Sequence, residues 1–588
     1  EYTHDKSEGL DQAAQFCIYM QCPAGPYSFS DATSNGASRS VVLEPSMLWF
    51  ASYYGDSSVQ TTWFKIFHYA PTGDTLARSI LWYRPEYADR KDTLDIDKLY
   101  PSINVEVMRN NWMPIGQTMV GVKGGRASVE HAHMDMGSFG FTSGDTRWID
   151  DIGADDYDLL EFFHGESKQG KRWSYYRERA EAHSCVIVAP DAKGSEYDPN
   201  VTAKLTAVEN KPKGAIATVD LTDSIGKDKV KSAMRGFNFT DDRQSLVVRD
   251  EINIKKKSDV YWLAYTNEEA RVEGNSVILT STKELGKTLK IDFICNQPFE
   301  VSVGAPEPLP ETKSYVQSFD NKGYRIVFKT NAQGPLEITA KLTPGDVENP
   351  SDVSAYNMPI ADWRVPDGSI KIKPYLDSLF AGDIELSTSS ADQDIIVDGD
   401  EELPVITAVS ENYDVSIKPA AAVGDTAAVT VTDRADSTNV SVYNVRYRTL
   451  APTGYPGVNE ITIKNVKVSD EPQPENCAAN VLDRNLDTRW SADGAQSMTL
   501  DLGRKRAFDK VIMAFMDGNS RKYNIAISIS DDDSEYKTVY DGASSGTTND
   551  YEAFELGLQE ARYIKIMGNG HDSGTWDSWT EVAVAISR

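Results

Sequence analysis

The chain has 588 residues and a formal net charge of −29 at pH 7, and its five cysteines include no CxxC pair. This length predicts about three or four domains, and the charge excludes nucleic acid as a general partner, because phosphate binding needs a basic surface. No disulfide framework is expected, and no apolar run is long enough to span a membrane.

The first 95 residues predict a helical domain. Apolar residues recur with helical spacing over residues 9–21, 44–55 and 57–69, and a last short helix is predicted at 76–83. The aromatic residues of these helices are too many to be buried among themselves. Residues 1–95 are therefore predicted to be the C-terminal part of a larger helical array, whose missing part we expect upstream or in a separate chain.

Short β-strands follow, and the fold class predicted for the whole chain is multidomain and mainly β. From residue 96 to residue 375, runs such as Thr118–Val122 and Ala215–Asp220 alternate with turn residues, which is typical of an antiparallel β-sandwich. Residues 376–452 carry further β-runs, enough for a small immunoglobulin-like module. An acidic stretch in this module is better explained as a solvated linker or hairpin than as a calcium loop.

Within the sandwich, the segment 124–139 contains His131, His133 and Asp135 at alternating positions. On a β-strand these three side chains would point to the same face. Polar groups gathered on one face are costly to bury unless they bind a metal or take part in catalysis. A histidine-rich surface strand is the alternative, and this segment alone leaves both open.

Two further motifs follow this segment. Residues 147–157 contain W-x-x-D-x-G-x-x-x-Y, and residues 173–184 contain Y-Y-R-x-R-x-x-x-H. Together with H-x-H-x-D-x-G-S-F at 131–139, they resemble the heparinase II/III-like family of polysaccharide lyases, over roughly residues 9–375. That family joins an (α/α) toroid to an antiparallel β-sandwich, which agrees with the two segments predicted above.

The resemblance implies a zinc ion held by His133, Asp151 and His183, with a fourth position left for water. Asp150 is adjacent to Asp151, but the D-x-G spacing favours Asp151. Asp135 is interpreted as a structural partner within the motif. A hydrogen-bonded polar core without metal is the alternative for the trio.

The resemblance also implies β-elimination across a 4-linked uronic acid, in which the carboxylate is neutralised, the C5 proton is removed and O4 is protonated. His131 is expected beside the scissile bond, and Tyr157, Tyr175 and Tyr176 are candidate proton donors. Arg126 is a candidate for binding the uronate carboxylate or a sulfate. The family's principal tyrosine belongs to the toroid, and we expect it upstream of the first residue.

Residues 453–588 predict a last β-domain with the signature D-x-N-x-D-T-x-W at 483–490. It resembles a discoidin or F5/8-type-C domain, the jelly roll shared by family 32 carbohydrate-binding modules. The resemblance implies a calcium ion near Asp483, Asp487, Thr488 and Glu581.

The loops that hold ligand in such modules correspond here to 517–521 and 568–579. Their candidate sugar-binding residues are Asp517, Asn519, Arg521, Trp576 and Trp579. Tryptophans in a loop rich in glycine, serine and aspartate are suited to stacking on a sugar ring. At least one of the two is expected to do so, and core packing is the alternative for the other.

These features predict a secreted or periplasmic polysaccharide lyase that acts on a uronate-containing anionic polysaccharide, with alginate and glycosaminoglycans as the leading substrates. Two alternatives remain open from the sequence. A uronyl C5-epimerase of the same architecture would reprotonate C5 instead of expelling O4, and a glycan-binding protein would have lost catalysis altogether.

Overall fold

A computed structural model of the chain describes residues 9, 12–22, 24–32, 46–66, 79–87, 90, 93–113, 116–165, 167, 170–192, 196–284, 286–312, 321–370, 372–386, 388, 391–397, 402–470 and 476–588. These residues form several sheets and few helices, which confirms the multidomain, mainly β fold class. No helix in this part of the chain is long and apolar enough to cross a membrane.

The N-terminal segment is helical and packs on the first β-sheet. Ile18, Leu48 and Trp63 share one buried cluster with Val105 and Val107, which belong to that sheet. Apolar faces that the helices cannot bury against one another are thus covered by β-structure. The elements are α1 (Ala13–Tyr19), a hairpin of β1 (Gln21–Cys22) and β2 (Gly25–Pro26), α2 (Ser46–Tyr54) and α3 (Ser57–Ile66). Residues 67–78 of the predicted helices lie outside the described residues.

The first large sheet is antiparallel, has five strands and follows the order β3-β4-β5-β6-β7. Every residue of β4 and β5 is buried, because the helical segment covers one face and the second sheet covers the other. The strands are β3 (Asp97–Tyr100), β4 (Val105–Arg109), β5 (Thr118–Lys123), β6 (Phe139–Ser143) and β7 (Thr146–Ile149).

The second sheet has ten strands. Its two long central strands, Ser245–Thr266 and Tyr324–Pro344, pair along nearly their whole length. Residues 245–248 and 260–265 are two separate apolar runs in the sequence, but they belong to one 22-residue strand. A bulge between Ile254 and Ser258, at three consecutive lysines, interrupts the apolar pattern there. The strands are β8 (Val186–Val188), β9 (Lys204–Lys211), β10 (Gly214–Asp220), β11 (Val230–Thr240), β12 (Ser245–Thr266), β13 (Glu269–Glu273), β14 (Ser276–Thr280), β15 (Thr288–Cys295), β16 (Phe299–Gly304) and β17 (Tyr324–Pro344). A short helix, α4 (Thr222–Ile225), lies between β10 and β11.

The two sheets pack face to face and form the predicted sandwich. The Phe139 ring of β6 lies 5.9 Å from Phe237 and 6.0 Å from Trp262 of the second sheet, measured between ring centroids. One continuous apolar cluster joins both sheets. This packing holds the ends of β5, β7 and β8 in fixed positions, and the candidate active site is built on those ends.

Two smaller β-units follow the sandwich. In the first unit, a three-stranded sheet (β19-β18-β21) and a four-stranded sheet (β20-β24-β23-β22) share one core. Their strands are β18 (Ser378–Ala381), β19 (Ile384–Glu385), β20 (Asp392–Ile396), β21 (Ile406–Val409), β22 (Asp414–Lys418), β23 (Thr426–Thr432) and β24 (Val440–Arg448). An eight-stranded sheet closes the chain, with β25 (Val458–Ile461), β26 (Asn465–Val468), β27 (Trp490–Asp493), β28 (Ser497–Phe515), β29 (Tyr523–Ser530), β30 (Lys537–Ala543), β31 (Glu552–His571) and β32 (Trp576–Ser587).

A buried arginine, Arg243, ties the two sheets of the sandwich together. Its guanidinium donates to both carboxylate oxygens of Asp97 at 2.6 and 2.7 Å, and to the backbone carbonyls of Arg109 and Gly214, each at 2.9 Å. Arg243→Ala leaves Asp97 buried without its cation, so we expect a loss of about 3–5 kcal/mol in the free energy of unfolding.

Urea denaturation followed by tryptophan fluorescence measures this loss. Arg271→Ala is the matched control, because Arg271 and its partner Glu273 are both exposed. The control is expected to change the free energy of unfolding by less than about 0.5 kcal/mol. Equal, small effects of the two substitutions would contradict the role given to Arg243.

Candidate active site

The histidine-bearing segment between β5 and β6 is a loop, so the prediction of a strand there is wrong. Gly125, His131 and Gly137 have φ angles of +79°, +60° and +81°, which are incompatible with an extended strand. The loop is fastened to the second sheet by paired backbone hydrogen bonds of 2.8 and 2.7 Å between Gly125 and Ala203. As a result, the two histidines do not share a face: His133 is buried, whereas 55% of the His131 side chain is exposed.

His133, Asp151 and His183 come together beneath this loop, as the motif predicted. His133 Nδ1 lies 3.2 Å from His183 Nε2, and His183 Nδ1 lies 2.8 Å from Asp151 Oδ2. All three residues are buried, and one ligand atom from each lies within 4.8 Å of the others. Asp151 follows β7, and His183 follows a 3-10 turn (Ala180–Ala182) that leads into β8, so both are held at strand ends.

Burial and charge act differently on the two histidines of this trio. Burial is the largest contribution to the lowered pKa of His133 and favours its neutral ring, which is the form that binds a metal. Burial also opposes the charged form of His183, but the Asp151 carboxylate outweighs it and raises the pKa of His183. The carboxylate thus orients His183 as well as contributing a possible ligand atom.

The other nitrogen of His133 faces Asp31, a residue that the sequence analysis did not select. Asp31 Oδ1 lies 2.6 Å from His133 Nε2. Its Oδ2 lies 2.7 Å from His131 Nδ1 and accepts a hydrogen bond of 2.8 Å from the Tyr157 hydroxyl. The Tyr157 hydroxyl is also 2.9 Å from His131 Nδ1. One carboxylate therefore contacts both histidines and the tyrosine.

A buried guanidinium completes this cluster. Arg172 Nη2 lies 2.6 Å from Glu178 Oε2 and 3.3 Å from Asp31 Oδ1, and it donates to the Ala132 carbonyl at 3.0 Å. Glu178 Oε2 is also 3.2 Å from His133 Nε2. Burial raises the pKa of Glu178 well above its ordinary value. Sequence reasoning missed both residues, although Glu178 occupies the variable position of Y-Y-R-x-R.

Asp31, His133 and Glu178 form a second group whose ligand atoms lie within 4.8 Å of one another. The Arg172 guanidinium contacts both carboxylates of this group. A cation there would meet a positive charge already in place. His133, Asp151 and His183 are therefore the better candidate metal site.

A cleft of about 600 Å³ opens outside the cluster, and its walls include Asp31, Arg126 and His131. Arg126 is exposed, so its guanidinium is accessible to an anionic ligand. Tyr157 stands beside His131, with ring centroids 5.5 Å apart. Burial and the hydrogen bond to Asp31 raise the pKa of Tyr157 to about 12, which keeps its hydroxyl protonated at neutral pH.

The other candidate residues of the motifs, Tyr175, Tyr176 and Asp135, do not line the cleft. The Tyr175 hydroxyl donates to the Leu160 carbonyl at 2.8 Å, which also disfavours its predicted role as a catalytic donor. Tyr176 packs in a small core with Ile152. Asp135 pairs with Lys123, in agreement with its interpretation as a structural partner.

In the C-terminal domain, Asp483 and Glu581 meet at the turn predicted to bind calcium. The Asn485 N–H donates to Asp483 Oδ1 at 2.8 Å and to Glu581 Oε1 at 2.9 Å, and the Thr488 hydroxyl donates to Asp483 Oδ2 at 2.7 Å. Arg484 Nη1 lies 2.7 Å from Glu581 Oε2. The exposed Asp487 donates its backbone N–H to Asn485 instead.

The two predicted sugar-binding loops are adjacent, since Asp572 donates its backbone N–H to the Lys522 carbonyl at 3.1 Å. Asp517, Asn519 and Arg521 lie on the first loop, where Arg521 Nη2 is 3.0 Å from Asp517 Oδ2. The prediction for Trp579 is wrong, because its side chain is fully buried against Trp490. Trp576 is 38% exposed and remains available for stacking.

Comparison with known protein families agrees with this architecture. The model of the Heparinase II/III-like, C-terminal family matches residues 93–334, and that of the F5/8 type C domain matches residues 465–582. The chain joins a heparinase II/III-like domain to an F5/8 type C domain. The first match covers the strands and turns that carry His133, Asp151 and His183. The second covers Asp483 and Glu581.

Three solved structures illustrate the similarity. The "CBM32 of AlyQ in complex with 4,5-unsaturated mannuronic acid" is 40% identical, covers 21% of this chain and 97% of its own, and has a TM-score of 0.21. Heparan sulfate lyase HepC from Pedobacter heparinus is 12% identical over 57% of this chain and 46% of its own, with a TM-score of 0.41. For Heparinase III the corresponding values are 11%, 74%, 54% and 0.40.

The chain spans about half the length of HepC and of Heparinase III. No curated protein sequence matches the chain.

We propose that the heparinase II/III-like domain binds one zinc ion through His133, Asp151 and His183. Zinc bonds of about 2.0–2.2 Å in tetrahedral geometry place ligand atoms about 3.3 Å apart, close to the spacing of the two imidazole nitrogens. His133→Ala is expected to reduce the zinc content from about one ion per chain to near zero, as measured by mass spectrometry after dialysis. The exposed His164 provides the matched control, His164→Ala. Unchanged zinc in His133→Ala would refute the ligand assignment.

We also propose that the F5/8 type C domain binds calcium through Asp483, Thr488 and Glu581, since hard oxygen ligands suit this ion. Calcium has to displace Arg484 from the Glu581 carboxylate. Added calcium is expected to raise the melting temperature of this domain, by an amount equivalent to about 2.7 kcal/mol at 100 times the dissociation constant. Glu581→Gln is expected to abolish the shift in differential scanning calorimetry. A melting temperature that does not respond to calcium in the unsubstituted protein contradicts the site.

Proposed function

We propose that this protein is a polysaccharide lyase that cleaves a uronate-containing anionic polysaccharide by β-elimination and leaves a 4,5-unsaturated uronate. The observation that carries the proposal is that His131 and Arg126 line one cleft, directly outside a buried histidine cluster, and that the Tyr157 hydroxyl lies 2.9 Å from His131 Nδ1. The heparinase II/III-like domain supports the same chemistry. The protein's localisation, secreted or periplasmic, follows from a polymeric substrate.

Binding of the substrate carboxylate is assigned to Arg126. β-Elimination begins at C5, whose proton becomes acidic only when the adjacent carboxylate is neutralised. Arg126 lines the cleft with its side chain exposed, so it can pair with a carboxylate without first breaking a buried ion pair. The overall charge of −29 does not prevent this, because the local charge in the cleft decides binding.

The proton transfers are assigned to His131 and Tyr157. Asp31 engages His131 Nδ1, so Nε2 is the nitrogen that takes the C5 proton. The C5 electron pair forms the C4–C5 double bond, the C4–O4 bond breaks, and O4 takes the proton of Tyr157. The raised pKa of Tyr157 suits a donor to an alkoxide leaving group. Zinc, when bound by His133, Asp151 and His183, supplies positive charge that holds the loop of His131 in place.

Alginate is the first substrate to test. The F5/8 type C domain is 40% identical to the CBM32 of AlyQ, which was solved in complex with 4,5-unsaturated mannuronic acid. That ligand has the chemical form of a product of uronate β-elimination. A domain that binds such chain ends keeps the lyase near its polymer. Glycosaminoglycans are the second substrate class.

Incubation of the protein with alginate, heparan sulfate, chondroitin, dermatan or hyaluronan tests the proposal. We expect new ultraviolet absorbance from the conjugated unsaturated uronate with one of these polymers. His131→Ala and Tyr157→Phe are each expected to lower kcat by about 10²–10⁴-fold, because each removes a proton-transfer group. Tyr175→Phe is the matched control and is expected to retain kcat within about threefold, since its hydroxyl binds a backbone carbonyl.

Absence of absorbance with all five polymers contradicts the lyase. Deuterium incorporation at C5 from heavy water without new absorbance would instead establish an epimerase. Polymer binding without either change would establish a glycan-binding protein.

A further inference from the structure

We propose that Asp31 is a positioning residue. One of its carboxylate oxygens fixes His133, the candidate metal ligand, and the other fixes His131, the candidate base. The effect of Asp31 on catalysis rests on the proposed lyase function, whereas its effect on metal binding does not. Asp31 belongs to the helical segment, outside residues 93–334 that match the heparinase II/III-like family model. No motif of the sequence includes it.

The first half of the proposal concerns His133. The 2.6 Å contact between Asp31 Oδ1 and His133 Nε2 places the imidazole proton on Nε2, where it is donated to the carboxylate. Nδ1 is then unprotonated and faces His183 Nε2 at 3.2 Å. A carboxylate behind a ligating histidine sets the tautomer, fixes the ring orientation and strengthens the ligand. Removal of such a partner typically lowers metal affinity about 10–100-fold.

The second half concerns His131. Asp31 Oδ2 lies 2.7 Å from His131 Nδ1, which places the proton of the neutral ring on Nδ1. Nε2 is then left as the base. The positive φ of His131, +60°, is uncommon for a residue other than glycine and needs the surrounding contacts to hold it. The Tyr157 hydroxyl donates to the same oxygen at 2.8 Å, so one atom places both proton-transfer groups.

Asp31 is itself held rigidly by the histidine loop. Its backbone N–H donates to the His131 carbonyl at 3.1 Å. The preceding residue, Ser30, donates both its backbone N–H and its hydroxyl to Asp135 Oδ2, each at 2.9 Å. Asp135, the third polar residue of H-x-H-x-D, therefore holds the segment of Asp31 against the histidine loop.

The charge of Asp31 is compensated within the cluster. Only 7% of its side chain is exposed, and Arg172 Nη2 lies 3.3 Å from Oδ1. His133 Nε2 lies 2.6 Å from Oδ1, and the Tyr157 hydroxyl donates to Oδ2 at 2.8 Å. Both carboxylate oxygens therefore have partners within the cluster.

Two substitutions separate the two roles. In Asp31→Asn, the amide oxygen takes the Oδ1 position facing the cationic Arg172 and still accepts from His133. The amide N–H₂ then faces His131 and forces its proton from Nδ1 to Nε2. In serine proteases the corresponding change to asparagine gives the wrong tautomer and a loss of about 10⁴-fold in kcat. Asp31→Ala removes both interactions. Asp56→Asn is the matched control, since the Asp56 carboxylate accepts hydrogen bonds from Gln15 and Ser58, which lie outside the cluster.

The readouts are zinc affinity by competition with a chelating dye, the tautomer of His131 by ¹⁵N NMR of the imidazole, and kcat on the polymer that is cleaved. Asp31→Ala is expected to lower zinc affinity about 10–100-fold. Asp31→Asn is expected to convert His131 to the Nε2–H form and to lower kcat about 10²–10⁴-fold. The control is expected to change none of the three.

An unchanged zinc affinity in Asp31→Ala overturns the metal half of the proposal, and an unchanged His131 tautomer in Asp31→Asn overturns the other half. Both variants are first compared with the control by thermal melting, so that a folding defect is recognised. If the unsubstituted protein cleaves no polymer, the proposed lyase function fails, while zinc affinity and NMR still decide the role of Asp31.

Discussion

The candidate active site depends on one buried cation, the guanidinium of Arg172. It lies between the carboxylates of Asp31 and Glu178, at 3.3 and 2.6 Å, and fastens the Ala132 carbonyl between the two histidines. Without this charge, two carboxylates would be buried beside His133 with no cation to compensate them, at a cost of several kcal/mol. Arg172 also stacks on Phe162, with its guanidinium carbon 4.4 Å from the ring centroid, so its own position is fixed.

Around this cation, segments far apart in the chain meet in one site. The helical segment brings Asp31, the loop between β5 and β6 brings His131 and His133, and the turns before β8 bring Arg172 and His183. The rigid sandwich beneath them supplies the precision that proton transfer and metal binding need. His133 lies between the candidate metal position and the cleft. Its Nδ1 faces the candidate metal position, and its Nε2 faces Asp31, which lines the cleft.

The sequence was sufficient for the parts of the site that short motifs encode. His133, Asp151 and His183 come together because D-x-G and the later histidine lie at strand ends, and H-x-H lies on the loop between β5 and β6 that covers them. Asp31 and Arg172 could not be found in this way, because Asp31 is 102 residues from His133 and 141 residues from Arg172, and neither lies in a recognisable pattern.

Other errors have equally specific causes. The alternation of His131, His133 and Asp135 is compatible with a strand, and only the positive φ angles exclude it. Trp576 and Trp579 share one polar loop, and the packing of Trp579 on Trp490 separates them. The fold class could be predicted from the sequence, because the alternation of apolar and polar residues in strands and the turn residues between them repeat along the chain.

The central claim is that one metal site lies on the Nδ1 side of His133 and is oriented by Asp31 on the Nε2 side. Anomalous diffraction at the zinc absorption edge, from crystals grown with zinc, tests it most directly. The account predicts a single peak in this part of the chain, on the Nδ1 side of His133 and within about 2.0–2.2 Å of a ligand atom from each of His133, Asp151 and His183. A peak between Asp31, His133 Nε2 and Glu178, or no peak near His133, would contradict it.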